Sequence, residues 1–305
     1  MKRILTLFAA AIAALSVSAY EPIATAPAQI ETKEYHFNNF SALDVSSIYQ
    51  VELTRSTRHS VSVEAPDFLM PYIKIDSYDD CLHLTLSDLP RDVRHRIENG
   101  RFKIRASVST PDLNEIRMSG ASRIESSGEF SARKTFRIRM SGAVSINGLS
   151  VRANEADIEC SGASKLSLNG SFDHIRAGLS GSSGADIAAN IKEARIELSG
   201  AAKMGLKGNV TRLNLTATGA ANFRQEGQIS DMQVEGSGAA KIHTSDAPAN
   251  VARVKLSGAS GAVVDVRNEL SISLSGASSL RYRAGEKLRI VEQNVSRAAS
   301  ISSFK

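Results

Sequence analysis

The amino-acid sequence predicts an all-β chain wound into a parallel β-helix-like solenoid of about ten coils, each 19–20 residues long, with a strand-rich N-terminal cap. Three observations predict it. A short Ser-Gly corner recurs at a nearly fixed step, apolar and polar residues alternate on both sides of it, and helical spacing of apolar residues is missing.

Length and composition set the frame. The chain has 305 residues, 42% hydrophobic and 23% charged, which supplies a sizeable core for one or two domains. The N-terminus reads as an address. Lys2 and Arg3 precede a charge-free run from Ile4 to Val17, and Val17-Ser18-Ala19 has the small residues of a cleavage site. These features predict a signal peptide over residues 1–19 with Tyr20 as the new N-terminus. The run is shorter than the roughly 20 apolar residues of a membrane span, no later stretch approaches that length, and no Cys follows it to carry a lipid anchor. The expected product is exported, to the periplasm or the cell surface, with no membrane span. Loss of Lys2 and Arg3 lowers the formal charge from +5 to +3, too little to point to a nucleic-acid partner.

Residues 20–34 hold Pro22 and Pro27 among small residues and read as a flexible lead. Residues 35–110 lack the Ser-Gly period. They read as an N-terminal β-rich cap or as irregular first coils, with strands around 42–45, 49–53, 61–64, 72–77, 82–86 and 102–108. Asp79-Asp80 sits between two alternating runs and predicts a hairpin. Residues 87–100, with Arg91, Arg94, His95 and Arg96 against Asp88, Asp92 and Glu98, read as a solvated excursion.

The solenoid occupies residues 111–305. Corners begin at Ser119, Ser141, Ser161, Ser180, Ser199, Thr218, Ser237, Ser257 and Ser275, with a decayed copy at Ser296. Before them stand pairs such as Ile116/Met118, Ile138/Met140 and Ile196/Leu198; after them come Ile124, Ile146, Leu166, Ile187, Met204, Phe223, Ile242 and Leu280. Period-two alternation marks half-buried strands. Phe172, Ile191, Val210 and Ile229 are inward candidates of a third strand. About 20 residues at ~3.3 Å each make one coil of three short strands, and stacking the coils buries their inward side chains on one another. Structural corners are expected at Gly120, Gly142, Gly162, Gly181, Gly200, Gly219, Gly238, Gly258 and Gly276, because glycine adopts backbone angles that a Cβ forbids. The corner hydroxyls are expected to form a ladder between coils.

Arg123, Lys165, Lys203 and Lys241 follow their corners at the same offset, with Ser145, Asn222 and an insertion around Gly184 in the coils between. The favoured reading is charge spacing on a solvated face. The alternative is a basic stripe for an anionic polymer such as a glycan or lipopolysaccharide. Catalytic signals are absent: Asp157, Asp173, Asp186, Asp231, Asp246 and Asp265 scatter over different coil positions, the six His show no metal spacing, and no nucleophile elbow or phosphate loop occurs. No cofactor and no metal are expected. Without Trp and with 5% aromatics, a sugar-stacking cleft is not expected. Cys160 takes the slot of Met140 and Leu198 and reads as buried; Cys81 alternates with Leu82 and Leu84 and reads as facing the other way, against a disulfide between the two.

The strand-rich segment, then Thr110-Pro111-Asp112-Leu113, then Ile116-Arg117-Met118-Ser119-Gly120-Ala121 and the repeated Ser-Gly corners resemble the putative auto-transporter adhesin, head GIN domain family, over about residues 36–298. The resemblance implies an exported bacterial β-helix-like protein with an adhesin role and brings no catalytic residues. This chain has more corners than the family pattern, which implies an extended rod or two fused units. It shows no membrane barrel after the last coil, so it is not expected to act as an auto-transporter alone. The function expected is a non-catalytic surface-, glycan- or protein-binding module with an unknown envelope protein or glycan as partner. A structural envelope component and a polysaccharide-active enzyme are the alternatives.

Overall fold

The computed structural model describes residues 29–99 and 102–304. The expected signal peptide, residues 20–28 of the expected lead, and Pro22 and Pro27 lie outside the described residues. The architecture is the predicted all-β solenoid of about ten turns, with all its strands joined in one hydrogen-bonded network.

Seven strands and two short helices precede the first Ser-Gly corner: β1 (Ile30–Tyr35), β2 (Ala42–Val45), β3 (Tyr49–Arg55), β4 (Ser60–Pro66), a 3-10 helix (Asp67–Tyr72), β5 (Ile73–Tyr78), β6 (Cys81–Leu86), α1 (Arg91–Asn99) and β7 (Ile104–Thr110). The first regular coil follows with β8 (Glu115–Met118) and β9 (Arg123–Ser127). Their order in space differs from their order in the chain. β2 lies between β6 and β8, parallel to both, and β3 lies between β7 and β9. The pair β2–β3 is therefore an inner coil of the stack, with β6–β7 laid outside it. The parallel stack is closed by antiparallel strands: β5 on β6, β4 on β7 and β1 on β4. Antiparallel closure occupies the edges that a bare end coil would expose.

Three local features depart from expectation or refine it. Residues 30–34, expected within the flexible lead, form β1, held by its pairing from Ile30–Pro66 to Tyr35–Val61. The excursion at 87–100 contains α1, whose inward side is little more than Val93 and Ile97; two apolar residues make too short a helical period to read. Arg96 closes over Phe68 at 3.8 Å, a cation–π contact on the cap. The Asp79-Asp80 hairpin is present between β5 and β6, with φ of 51° and 63°, as a two-residue hairpin turn needs.

From β8 onward each coil has a first face before the corner, a second face after it and a short third face that returns. Long strands such as Lys165–Leu179 and Gly184–Leu198 run through the bend from one coil into the next. On the first face Ile116, Ile138, Ile158, Ala177, Ile196, Leu215, Val234, Val254 and Ile272 stack in register and are buried. The second-face residues Ile124, Ile146, Leu166, Met204, Phe223, Ile242 and Leu280 are also buried, as are Phe172, Ile191, Val210 and Ile229 on the third. Each fully buried side chain of this size contributes about 1.5–3 kcal/mol.

The corner is built by backbone. Ala201 N–H donates to the Gly181 carbonyl and Ala220 N–H to the Gly200 carbonyl, each at 2.8 Å, and the pattern repeats along the rod. The nine corner glycines have φ between 66° and 85°. A Cβ on Gly200 would stand 2.9 Å from the Gly181 oxygen and 3.1 Å from its nitrogen. The expected hydroxyl ladder is not what the corner serines form. Ser161 Oγ donates to the Met140 carbonyl (3.3 Å), and at the fourth corner position Ser183 and Ser260 donate back to the carbonyls of Ser180 and Ser257, each at 2.8 Å. Coil-to-coil hydrogen bonds run along the rod axis, so a carbonyl stands within reach of these hydroxyls where a hydroxyl could have met a hydroxyl, whereas Ser164 and Ser278 at the fourth position have no partner among the described residues.

At the last coil, residues 289–295 pair with the preceding coil across a bulge at Val291, and Ile290 and Val291 are exposed. A bulged, charge-flanked edge resists pairing with another strand.

Gly200→Val is expected to destabilise by about 3 kcal/mol or more, since it adds left-handed strain and a backbone clash. Gly178→Ala, where no atom lies within 4 Å of the new Cβ, should change stability by less than ~0.5 kcal/mol. Urea midpoints of the two variants beside the parent check this; equal midpoints would contradict the corner argument.

Candidate functional site

A solenoid with a sealed core can act only through its outer faces, and two of them carry patterned charge. On the second face, register places Arg123, Lys165, Lys203 and Lys241 in one column, interleaved with Ser145, Gly184, Asn222 and Gly261. Gly184 sits in register between Lys165 and Lys203; the insertion expected there does not exist, because Ser180-Gly181-Ser182-Ser183 has the length of the other corners. The four cations are exposed, and Ser145, Gly184 and Asn222 are recessed. Arg123 reaches Glu125 at 3.9 Å. Lys74, Lys192 and Lys207 make ion pairs elsewhere, whereas among the described residues Lys165, Lys203 and Lys241 have no carboxylate within 4 Å.

The first face is organised differently. Its outward positions carry both signs, and the signs meet across coils. Glu115 is the hub: it accepts from Arg117 Nε (2.8 Å) and Nη2 (3.1 Å) and from Arg139 (3.1 Å). Arg139 also reaches Glu159 at 3.3 Å, and Glu193 lies between His174 (3.8 Å) and Arg212 (3.7 Å). The hydrogen bond from Arg117, with the charges of Arg117, Arg139 and Arg137, holds the Glu115 carboxyl below its usual range against the opposing effect of burial. A trough of about 720 Å³ runs beside the corners from Asp44 to Thr218, floored in part by Ser141, Ser161 and Ser180 and opened in the middle at Gly178. A smaller one of about 430 Å³ lies between Thr135 and Arg195. Sequence reasoning missed this face. Its signal lay in the polar partners of the pre-corner alternation, whose charges cancel in any count.

The nucleophiles are placed for packing. Cys160 is buried with its Sγ 3.9 Å from Met140 Sδ. Cys81 shares its strand face with His83, in register with Asp44 and Arg117, and is buried there rather than exposed. Desolvation pushes both thiols up to about 11, and both are free. The buried Tyr49 hydroxyl, also raised by desolvation, donates to the Thr85 carbonyl at 2.9 Å. The carboxylates Asp157, Asp173, Asp186, Asp231, Asp246 and Asp265 belong to separate columns; Asp173, Asp246 and Asp265 bind Lys192, Arg224 and Arg283. Among the described residues no group of three His, Cys, Asp or Glu is placed to hold a metal ion, and no helix is long and apolar enough to cross a membrane.

The family model for the putative auto-transporter adhesin, head GIN domain, matches two overlapping stretches, residues 39–191 and 183–285. The structure resembles a crystal structure of a putative adhesin from Parabacteroides merdae at 13% identity and a TM-score of 0.52, covering 91% of this chain and 97% of that one. A putative adhesin from Parabacteroides distasonis is similar at 13% identity and a TM-score of 0.46, covering 90% and 98%. No curated protein matches the chain.

Two predictions follow from these environments. Because the Glu115 carboxyl is lowered on folding, its stabilisation is present above the ordinary glutamate range and is lost as pH falls through the lower folded value. Glu115→Gln should therefore cost ~1–2 kcal/mol at pH 7, with the difference from the parent closing below about pH 4, in unfolding curves taken across pH. Cys81 and Cys160 should resist a thiol reagent at pH 8 in the folded protein and react in full in denaturant; rapid native labelling would contradict their burial.

Proposed function

The chain belongs to the putative auto-transporter adhesin, head GIN domain family, and from that premise we propose that it is an exported, non-catalytic adhesive module. It holds a surface, glycan or protein partner of the cell envelope on the outside of its rod. The observation that carries this reading is the division of labour between core and faces. Inward positions form a continuous apolar column from the cap to Leu280, which leaves no deep cleft for chemistry, while the outward positions present long rows of polar side chains in register. Such rows suit contact with an extended partner, because each coil repeats the same geometry.

Two further points support it. The two troughs described above are open channels along the sheet, lined by ion pairs and corner hydroxyls, and the thiols are sequestered. The leader over residues 1–19 would deliver the chain out of the cytoplasm, with Tyr20 as its first residue.

Expression in a bacterial host with an intact secretion system should yield an exported protein that begins at Tyr20 by mass spectrometry. Immobilised mature protein should then retain an envelope component or an arrayed glycan, and should release no reducing ends from polysaccharides. Sustained failure to retain any such component, or turnover of a polysaccharide, would overturn the reading.

A further inference from the structure

We infer that the second face reads a linear acidic polysaccharide carrying one acid group per disaccharide, laid along the rod axis on Arg123, Lys165, Lys203 and Lys241. The inference rests on the adhesive reading above and names its ligand class.

One chain meets the same electrostatic problem on two faces. Like charges stacked on neighbouring strands repel. Around Glu115 on the first face the chain relieves this with opposite charges, Glu115 lying between Arg117 and Arg139, although further along Arg176 and Arg195 stack in register. In the second-face column it uses blanks. The positions between cations hold Ser145, Gly184 and Asn222, none of them acidic. Blanks remove the repulsion but leave the lysines unneutralised. Spacing alone would be served as well by acids, so the blanks keep positive charge available to something outside the protein.

The period selects the ligand. Neighbouring strands lie ~4.8 Å apart, so cations on alternate coils repeat at about 9.6 Å. A pyranose ring and its glycosidic oxygen advance an extended glycan by nearly the rise of one coil. A polymer with an acid on every second sugar therefore meets a cation at each acid and a recessed blank at each neutral ring. The blank has room: a Cβ on Gly184 would find no atom closer than the Lys203 carbonyl oxygen at 3.9 Å. The neighbouring column carries the acids Glu125, beside Arg123, and Asp186, whose carboxylate leans over Gly205, and further along it Arg224 and His243. The two acids border the first part of the track on one side and disfavour an anionic chain lying there. Single exposed lysine–carboxylate contacts are weak, so binding draws on repetition along the polymer and weakens with salt.

Hyaluronan, with one carboxylate per disaccharide, is the test ligand. Polygalacturonate, with one on every sugar, and neutral dextran are the comparisons, all measured against the mature protein by calorimetry. Hyaluronan should bind, dextran should not, and Lys165→Ala/Lys203→Ala/Lys241→Ala should abolish binding. The deciding variant is the exchange Lys203→Asn/Asn222→Lys, which moves one cation by one coil at constant net charge. It should weaken hyaluronan roughly fivefold and polygalacturonate much less, because that polymer offers an acid to every coil. Unchanged melting temperatures confirm that both variants fold. A parent that ignores hyaluronan, a triple variant that binds normally, or an exchange variant as tight as the parent would each overturn the inference. The first of these leaves the adhesive reading standing, since retention of an envelope component is measured separately.

Discussion

The carbonyl oxygen of each corner glycine lies 2.6–2.9 Å from where a Cβ on the glycine of the coil above would stand, and the rest of the rod depends on that approach. It lets the backbone ladder continue through the bend, so the coils keep one spacing and the inward side chains of successive coils meet in register. The apolar column is a consequence of the corner as much as a cause of the fold. If the corner were wider, the register on the first and second faces would drift apart within a few coils.

The ends of the stack are handled by different devices. At the N-terminal end the chain doubles back, inserting β2–β3 beneath β8–β9 and laying β6–β7 outside, before antiparallel strands occupy the remaining edges. At the other end a bulge and flanking charges blunt the edge strand of residues 289–295. The corner between β2 and β3 shows how narrow the glycine requirement is. Ser47 takes the left-handed position there, with φ of 69°, and the next corner stacks on it through Ala121 N–H to the Ser47 carbonyl at 2.7 Å. On its other side the β6 strand ends at Leu86 and the chain leaves through the α1 excursion, so no corner of the β6–β7 layer lies under Ser47.

The outer faces inherit the same regularity, and with it a shared difficulty, since any residue type repeated in register stacks on itself. On the first face opposite charges pair around Glu115 and Glu193, and such exposed ion pairs contribute little each, while Arg176 and Arg195 stack in register beside them. Cations alternating with small neutral residues on the second face leave charge unspent.

Much of this was legible in the sequence. The step between Ser-Gly corners determined the solenoid, the alternation around Ile116, Ile138 and Ile196 determined which side chains face inward, and the offset of Lys165, Lys203 and Lys241 determined that they share a column. These properties are local, repeated every 19–20 residues, and so survive in a one-dimensional reading. Only the tertiary structure decided the rest. The Ser47 corner carries no glycine signal because no corner of the β6–β7 layer lies beneath it, β1 is a strand only because β4 offers it an edge, and α1 is held by the cap rather than by its own short apolar period. The Glu115 hub escaped notice because Arg139, 24 residues away, becomes its neighbour only when the coils stack. Where structure comes from repetition the sequence contains it, and where it comes from what lies on the next coil, only the folded stack supplies the neighbour.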